Sequence, residues 1–265
     1  MSILQVIAFF IAWAGCWLPI AVPLAMARGW QPLKPLEIEQ KLPLLASLYL
    51  VAPLIVWTMS RVINKEFSDY GLTWNLNLFS SLIVGFAIGV LSLTILFGVQ
   101  TGLGWISWQK ISRQQLISVL LPTLLLAVWI SGTEELVFRG FVLTQLQEDV
   151  TFWVAATISS VIFAVLHLIW EQKETIPQLP GLWLMGMVLV LARLIDHGNL
   201  GLAWGLHSGW VWGIASLDTA ALVAYTGKSF EWVTGKNGKP LAGILGILLL
   251  LLTAIFLWFF AIKRS

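Results

Sequence analysis

About eight stretches of this chain are each apolar for close to twenty residues, and no other feature limits its fold as much. They cover approximately 2–27, 42–60, 78–103, 115–133 and on towards 147, 151–170, 180–195, 200–217 and 241–262. Roughly 20 apolar residues in a helix cross the hydrocarbon core of a bilayer. The runs are continuous, whereas the strands of a membrane barrel alternate between apolar and polar positions. The expectation is therefore all-α: a polytopic transmembrane helical bundle of about eight helices. Composition agrees, with 58% hydrophobic and 11% charged residues, against about 25% charged in a soluble domain. The connections are short, so residues 1–265 read as a single transmembrane domain.

Several of the 16 tryptophans fall near the ends of these runs: Trp30, Trp57, Trp74, Trp105, Trp108, Trp170 and Trp232. That is where an interfacial aromatic belt belongs. No Lys or Arg precedes the first run, so it reads as a retained helix rather than a secretory signal. Pro19 and Pro23 are expected to kink or end that helix, and Pro122 to bend the fourth. The one cysteine, Cys16, excludes an intramolecular disulfide and reads as a small buried hydrophobe. A net charge of +2 with no run of like charges argues against a nucleic-acid partner. Eight spans put the loops at 28–41, 104–114, 171–179 and 218–240 on one side. These carry most of the Lys and Arg, which makes that side cytoplasmic and places both termini outside. The abundance of Trp fits a bacterial plasma membrane, with a thylakoid or other organelle membrane left open.

Charge is kept out of the apolar runs with one main exception, Trp129-Ile130-Ser131-Gly132-Thr133-Glu134-Glu135-Leu136-Val137-Phe138-Arg139-Gly140. An ionisable group in a membrane span is costly and marks function by default. Residues four apart share a helix face, so Glu135 and Arg139 form a natural ion pair. Glu134 lies about 100° around the helix and is left to point elsewhere. All three could instead form one satisfied cluster at the membrane border. Burial favours the neutral form of a carboxyl group, so an acid here could take and return a proton, as general base and acid catalysis of hydrolysis requires. Partners are available. Of the three histidines, His167 and His207 lie in two other spans, while His197 follows Asp196 in a loop and reads as solvated. Inward-facing Glu134, His167 and His207 could meet in one polar pocket. Other hydrolase patterns are missing. There is no His-Glu-x-x-His, no Gly-x-Gly-Asp and no Gly-x-Ser-Gly around Ser131 or Ser208.

These residues resemble the motifs of a known family. Glu134, Glu135 and Arg139, then Phe163 and His167, then His207 are similar in order and spacing to those of the CAAX-protease and bacteriocin-processing (CPBP, or Abi) family of intramembrane endopeptidases. The likeness covers roughly residues 115–217. It implies a helical bundle with a polar cavity inside the membrane, in which Glu134 and His167 activate water for peptide-bond hydrolysis. Glu135 and Arg139 would support them, His207 would stabilise the oxyanion, and Phe163 and Val211 would lie at the substrate. The expected partners are membrane lipid and a peptide or protein substrate, lipidated or not. A metal-free glutamate mechanism needs no cofactor, although Glu134, His167 and His207 together are also a donor set that zinc could use. Val211 departs from the pattern, because the family usually has Asn there and valine has no side-chain donor. The second reading is therefore a catalytically weakened member acting as a membrane scaffold or chaperone.

Overall fold

The computed structural model describes residues 2–30, 38–169 and 172–262; Trp170 and residues 31–37 of the loop at 28–41 lie outside them. Eight principal helices form the bundle: α1 (Ser2–Ala27), α2 (Ile38–Val62), α3 (Leu76–Gly102), α4 (Arg113–Glu134), α5 (Phe152–Leu166), α6 (Leu179–Ile195), α7 (Gly201–Thr219) and α8 (Ile244–Ile262). Side-chain caps set two of the starts. The Asn75 side chain accepts from the Leu78 amide at the head of α3, and that of Ser112 from the Gln115 amide at the head of α4. Such caps satisfy amides that a helix leaves unpaired in its first turn.

The protein is an all-α integral membrane bundle that crosses the bilayer several times. Six of the described helices are long and apolar enough to span it. α7 is different. It carries His207, Ser208 and glycines at 201, 205, 209 and 213, and most of its first ten residues are buried. Its environment is other helices rather than lipid.

The tightest seam is between α3 and α7. Gly85 and Gly89 on α3 face the backbone of α7, and Gly201, Gly205 and Gly209 on α7 face the backbone of α3. A Cβ on Gly89 would stand 2.6 Å from the Leu206 carbonyl, and one on Gly209 would stand 2.6 Å from that of Phe86. Small residues every fourth position let membrane helices approach this closely, where packing and not water drives association. α4 is fastened to α7 by two indoles: Trp204 Nε1 donates to the Val128 carbonyl (2.7 Å) and Trp212 Nε1 to that of Leu120 (2.9 Å).

The connections sort into two groups, one at each end of the bundle. At one end, Ile106–Trp108 (β1) pairs antiparallel with Val223–Tyr225 (β2), joining the loops after α3 and α7. At the other, Ser2 and Lys65 both bond Glu148, and the Leu200 amide bonds the Gly71 carbonyl.

The prolines do not end their helices, and one expectation, about Cys16, is corrected. α1 runs through Pro19 and Pro23, and α4 runs through Pro122. In lipid a broken helix would leave several backbone groups unsatisfied, which costs more than the one bond a proline removes. Cys16 is exposed on α1 rather than buried.

Candidate active site

The α-helical geometry of α4 stops at Glu134, and the next eight residues, Glu135–Val142, form a π-helical segment before one last α turn, Leu143–Leu146. All eight are buried. The wider π ring loosens the regular ladder, and side chains from neighbouring helices hold its carbonyls. Ser159 Oγ donates to the Phe138 carbonyl (2.8 Å), and Arg193 Nη1 to that of Arg139. Arg193 is held in turn by Gly198 and Thr144. π segments occur often at functional sites. This one was expected to be plain α-helix.

The acids divide as the sequence suggested, but neither stands alone. Glu135 is fully buried, and its Oε1 takes Arg139 Nη1 at 3.1 Å and His207 Nδ1 at 2.8 Å. The Arg139 guanidinium lies 4.3 Å from the Phe163 ring centroid, a cation–π contact in a dry setting. Glu134 points the other way. Its Oε2 lies 3.5 Å from His207 Nε2, and its Oε1 accepts from the Tyr49 hydroxyl. A continuous polar chain results: Arg139, Glu135, His207, Glu134, Tyr49. Removing one partner of such a buried set leaves an uncompensated charge, at a cost of about 3–5 kcal/mol.

His167 reaches the site from the end of α5. Its Nδ1 is 2.8 Å from the Phe163 carbonyl. A carbonyl only accepts, so in the neutral ring Nδ1 carries the proton and Nε2 keeps the lone pair. Phe163 packs edge-on against both histidines, with centroid distances of 4.7 Å to His167 and 5.9 Å to His207.

Glu134, His167 and Phe163 share the wall of one cavity of about 360 Å3 between α1, α2, α4 with its π segment, and α5. The rest of the wall is mainly apolar and aromatic, including Phe10, Trp13, Trp17 and Phe138. His207, 1% exposed, stands behind Glu134 and not on the wall. Val211, one turn further along α7, is half-buried and also off the wall. The structure thus brings Glu134, Glu135, Arg139, His207, Phe163 and His167 into one neighbourhood and leaves Val211 to one side. His197 is exposed in the turn between α6 and α7.

The zinc alternative does not fit this arrangement. Among the described residues no three His, Cys, Asp or Glu side chains are grouped to hold a metal ion. His207 faces a carboxylate with each ring nitrogen, and His167 has one nitrogen engaged by a carbonyl.

Two participants escaped the sequence. Tyr49 sits in the apolar run of α2 and has no motif. Arg193 reads as the charged end of a span, yet it is 9% exposed and braces the π segment. A charge in the last turn of an apolar run was a usable signal for Arg193. For Tyr49 there was none.

No curated protein and no solved structure matches the chain. A family model does, over residues 113–213, described as type II CAAX prenyl endopeptidase, Rce1-like. The match opens at the first residue of α4 and closes inside α7, so it contains both acids, Arg139, Phe163, His167, His207 and Val211. Over those 101 of 265 residues the chain is similar to the Rce1-like type II CAAX prenyl endopeptidases.

Proposed function

We propose that the protein is a glutamate-dependent intramembrane endopeptidase in which Glu134 and His167 activate water. The observation that carries this reading is that the two side chains arrive on different helices at the wall of one apolar cavity. Behind Glu134 lies the ion-paired set of His207, Glu135 and Arg139. Glu134 takes a proton from water as the oxygen attacks the scissile carbonyl carbon, then returns it to the departing amine. His167 Nε2, the one ring nitrogen with a free lone pair, orients that water. Positioned acid–base catalysis of this kind contributes about 10²–10⁴-fold. Glu135 and Arg139 fix the depth and aim of the helix turn. His207 couples the two acids, and this bridging position supports a proton-holding role better than direct contact with the oxyanion. The family model is described as a CAAX prenyl endopeptidase, and the aromatic, apolar wall is compatible with a lipidated peptide.

The test is cleavage of a quenched fluorescent, prenylated CAAX peptide in proteoliposomes. Glu134→Gln is expected to abolish cleavage while the protein stays folded, and a chelator is expected to leave the wild-type rate unchanged. Equal rates for wild type and Glu134→Gln would overturn the reading. Val211 supports the other reading, a scaffold, because it supplies no donor. If Val211→Asn converts an inactive wild type into an active enzyme, the scaffold reading prevails.

A further inference from the structure

We infer that Tyr49, outside the matched stretch, is the oxyanion donor of this site. In the resting protein it is held on Glu134 and transfers to the substrate oxygen during attack. The inference rests on the hydrolytic reading above and adds a residue to it.

The first ground is position. Tyr49 is 8% exposed, lines the same cavity as Glu134 and His167, and donates its hydroxyl to Glu134 Oε1. The residues just before it are tied to α1: Trp13 Nε1 donates to the Leu48 carbonyl (3.1 Å) and Trp17 Nε1 to Ser47 Oγ (3.0 Å). The Trp129 ring stands edge-on at 6.5 Å. The phenol is therefore fixed opposite the catalytic acid by a braced stretch of α2.

The second ground is elimination. Attack of water on a carbonyl moves a π electron pair onto its oxygen, and that oxygen needs donors already in place. Among the described residues of the wall, the Trp13 and Trp17 indoles are engaged by α2, and the proton of His167 by the Phe163 carbonyl. His207 is behind Glu134, and Val211 has no donor and is off the wall. Two hydroxyls are left, that of Thr133 and that of Tyr49, whose acceptor is the very acid that takes the water proton and so releases it.

The steps balance. Water forms the new C–O bond, and its proton goes to Glu134. Protonated Glu134 is a weaker acceptor, so the Tyr49 hydroxyl turns to the new oxyanion and donates a hydrogen bond without losing its proton. The carbonyl then re-forms, the C–N bond breaks, and its electron pair leaves with nitrogen, which takes the proton from Glu134. Tyr49 ends as it began.

The experiment uses the full-length protein in proteoliposomes, the same fluorescent prenylated CAAX peptide, and a phosphinate analogue of that peptide as a tetrahedral mimic. Tyr49→Phe should lower kcat by about 10²-fold, the loss typical of one oxyanion donor, with KM within about twofold. It should weaken the phosphinate by a similar factor. Thr133→Val should change kcat only a few-fold. A Tyr49→Phe enzyme with wild-type kcat, or one with only KM raised, overturns the inference, as does a Thr133→Val variant that alone shows the large loss. Those results leave the hydrolytic reading intact provided Glu134→Gln is inactive. A wild type that cleaves nothing overturns both.

Discussion

The α3–α7 seam and the α1–α2 wall are held together by different means, and the site lies between them. At the seam, glycine faces backbone, and there is no space in which either helix could shift. The wall is the more exposed part: only 17% of the apolar window of α1, and the same share of α2, is buried, against 28% for α3 and 50% for the window that contains α6. Its polar ties are individual hydrogen bonds from Trp13, Trp17 and Tyr49, plus the clip of Ser2 and Lys65 on Glu148, beside apolar packing such as Phe9 on Phe141. Glu135, Arg139 and His207 belong to the rigid side. Glu134 and His167 face the side held by few bonds. Acid–base chemistry needs fixed groups, and admission of a substrate needs a surface that can give way. The two demands fall on different helices.

Four substitutions would break or sharpen this contrast. Arg139→Leu should do most damage, about 3–5 kcal/mol, because it leaves Glu135 buried without its cation; chemical unfolding in detergent reads it. Gly205→Ala comes next, at about 1–3 kcal/mol for overpacking, since its Cβ would meet the backbone of α3. If Gly205→Ala costs nothing, the seam is not the rigid half. Trp17→Phe should cost about 0.5–1.5 kcal/mol, the worth of one hydrogen bond, and change KM more than unfolding. A KM equal to wild type would argue against a yielding wall. Glu148→Gln should be smallest, at most about 1 kcal/mol for a partly exposed pair. Its sign follows from the carboxyl, which hydrogen bonds from Lys65 and Ser2 hold below the ordinary value of 4.5. A depressed folded pKa stabilises above that value, and the stabilisation is lost as pH falls through the depressed one. The variant and wild type should therefore begin to approach each other in stability at about pH 4.5 and converge as pH falls through the lower value.

Much of this was legible in the chain, for a physical reason. Lipid accepts only long apolar helices, so α3 was expected at 78–103 and lies at Leu76–Gly102. The pairing of Glu135 with Arg139 followed from helix spacing and is present at 3.1 Å. The glycines at 201, 205, 209 and 213 were visible as a four-residue period, yet nothing in them named α3 as the partner. The π segment was not legible, because its residues are as compatible with an α-helix; the choice depends on Ser159 and Arg193, which come from other helices. Tyr49 was hidden for the same reason: its importance lies in a neighbour 85 positions away.

The π segment sets which kinds of change this gene product can bear. An α-helix turns about 100° per residue, so deleting one residue from Glu135–Val142 would close the wide ring and rotate one flank against the other. Either Glu134 would leave the cavity, or Leu143–Leu146 would leave the core. Insertion would fail likewise. Many single exchanges of apolar residues should pass there while any change of length is lethal to the site. A deletion scan should find this buried stretch more sensitive to length than to spelling, whereas the loop at 226–239 should behave in the opposite way.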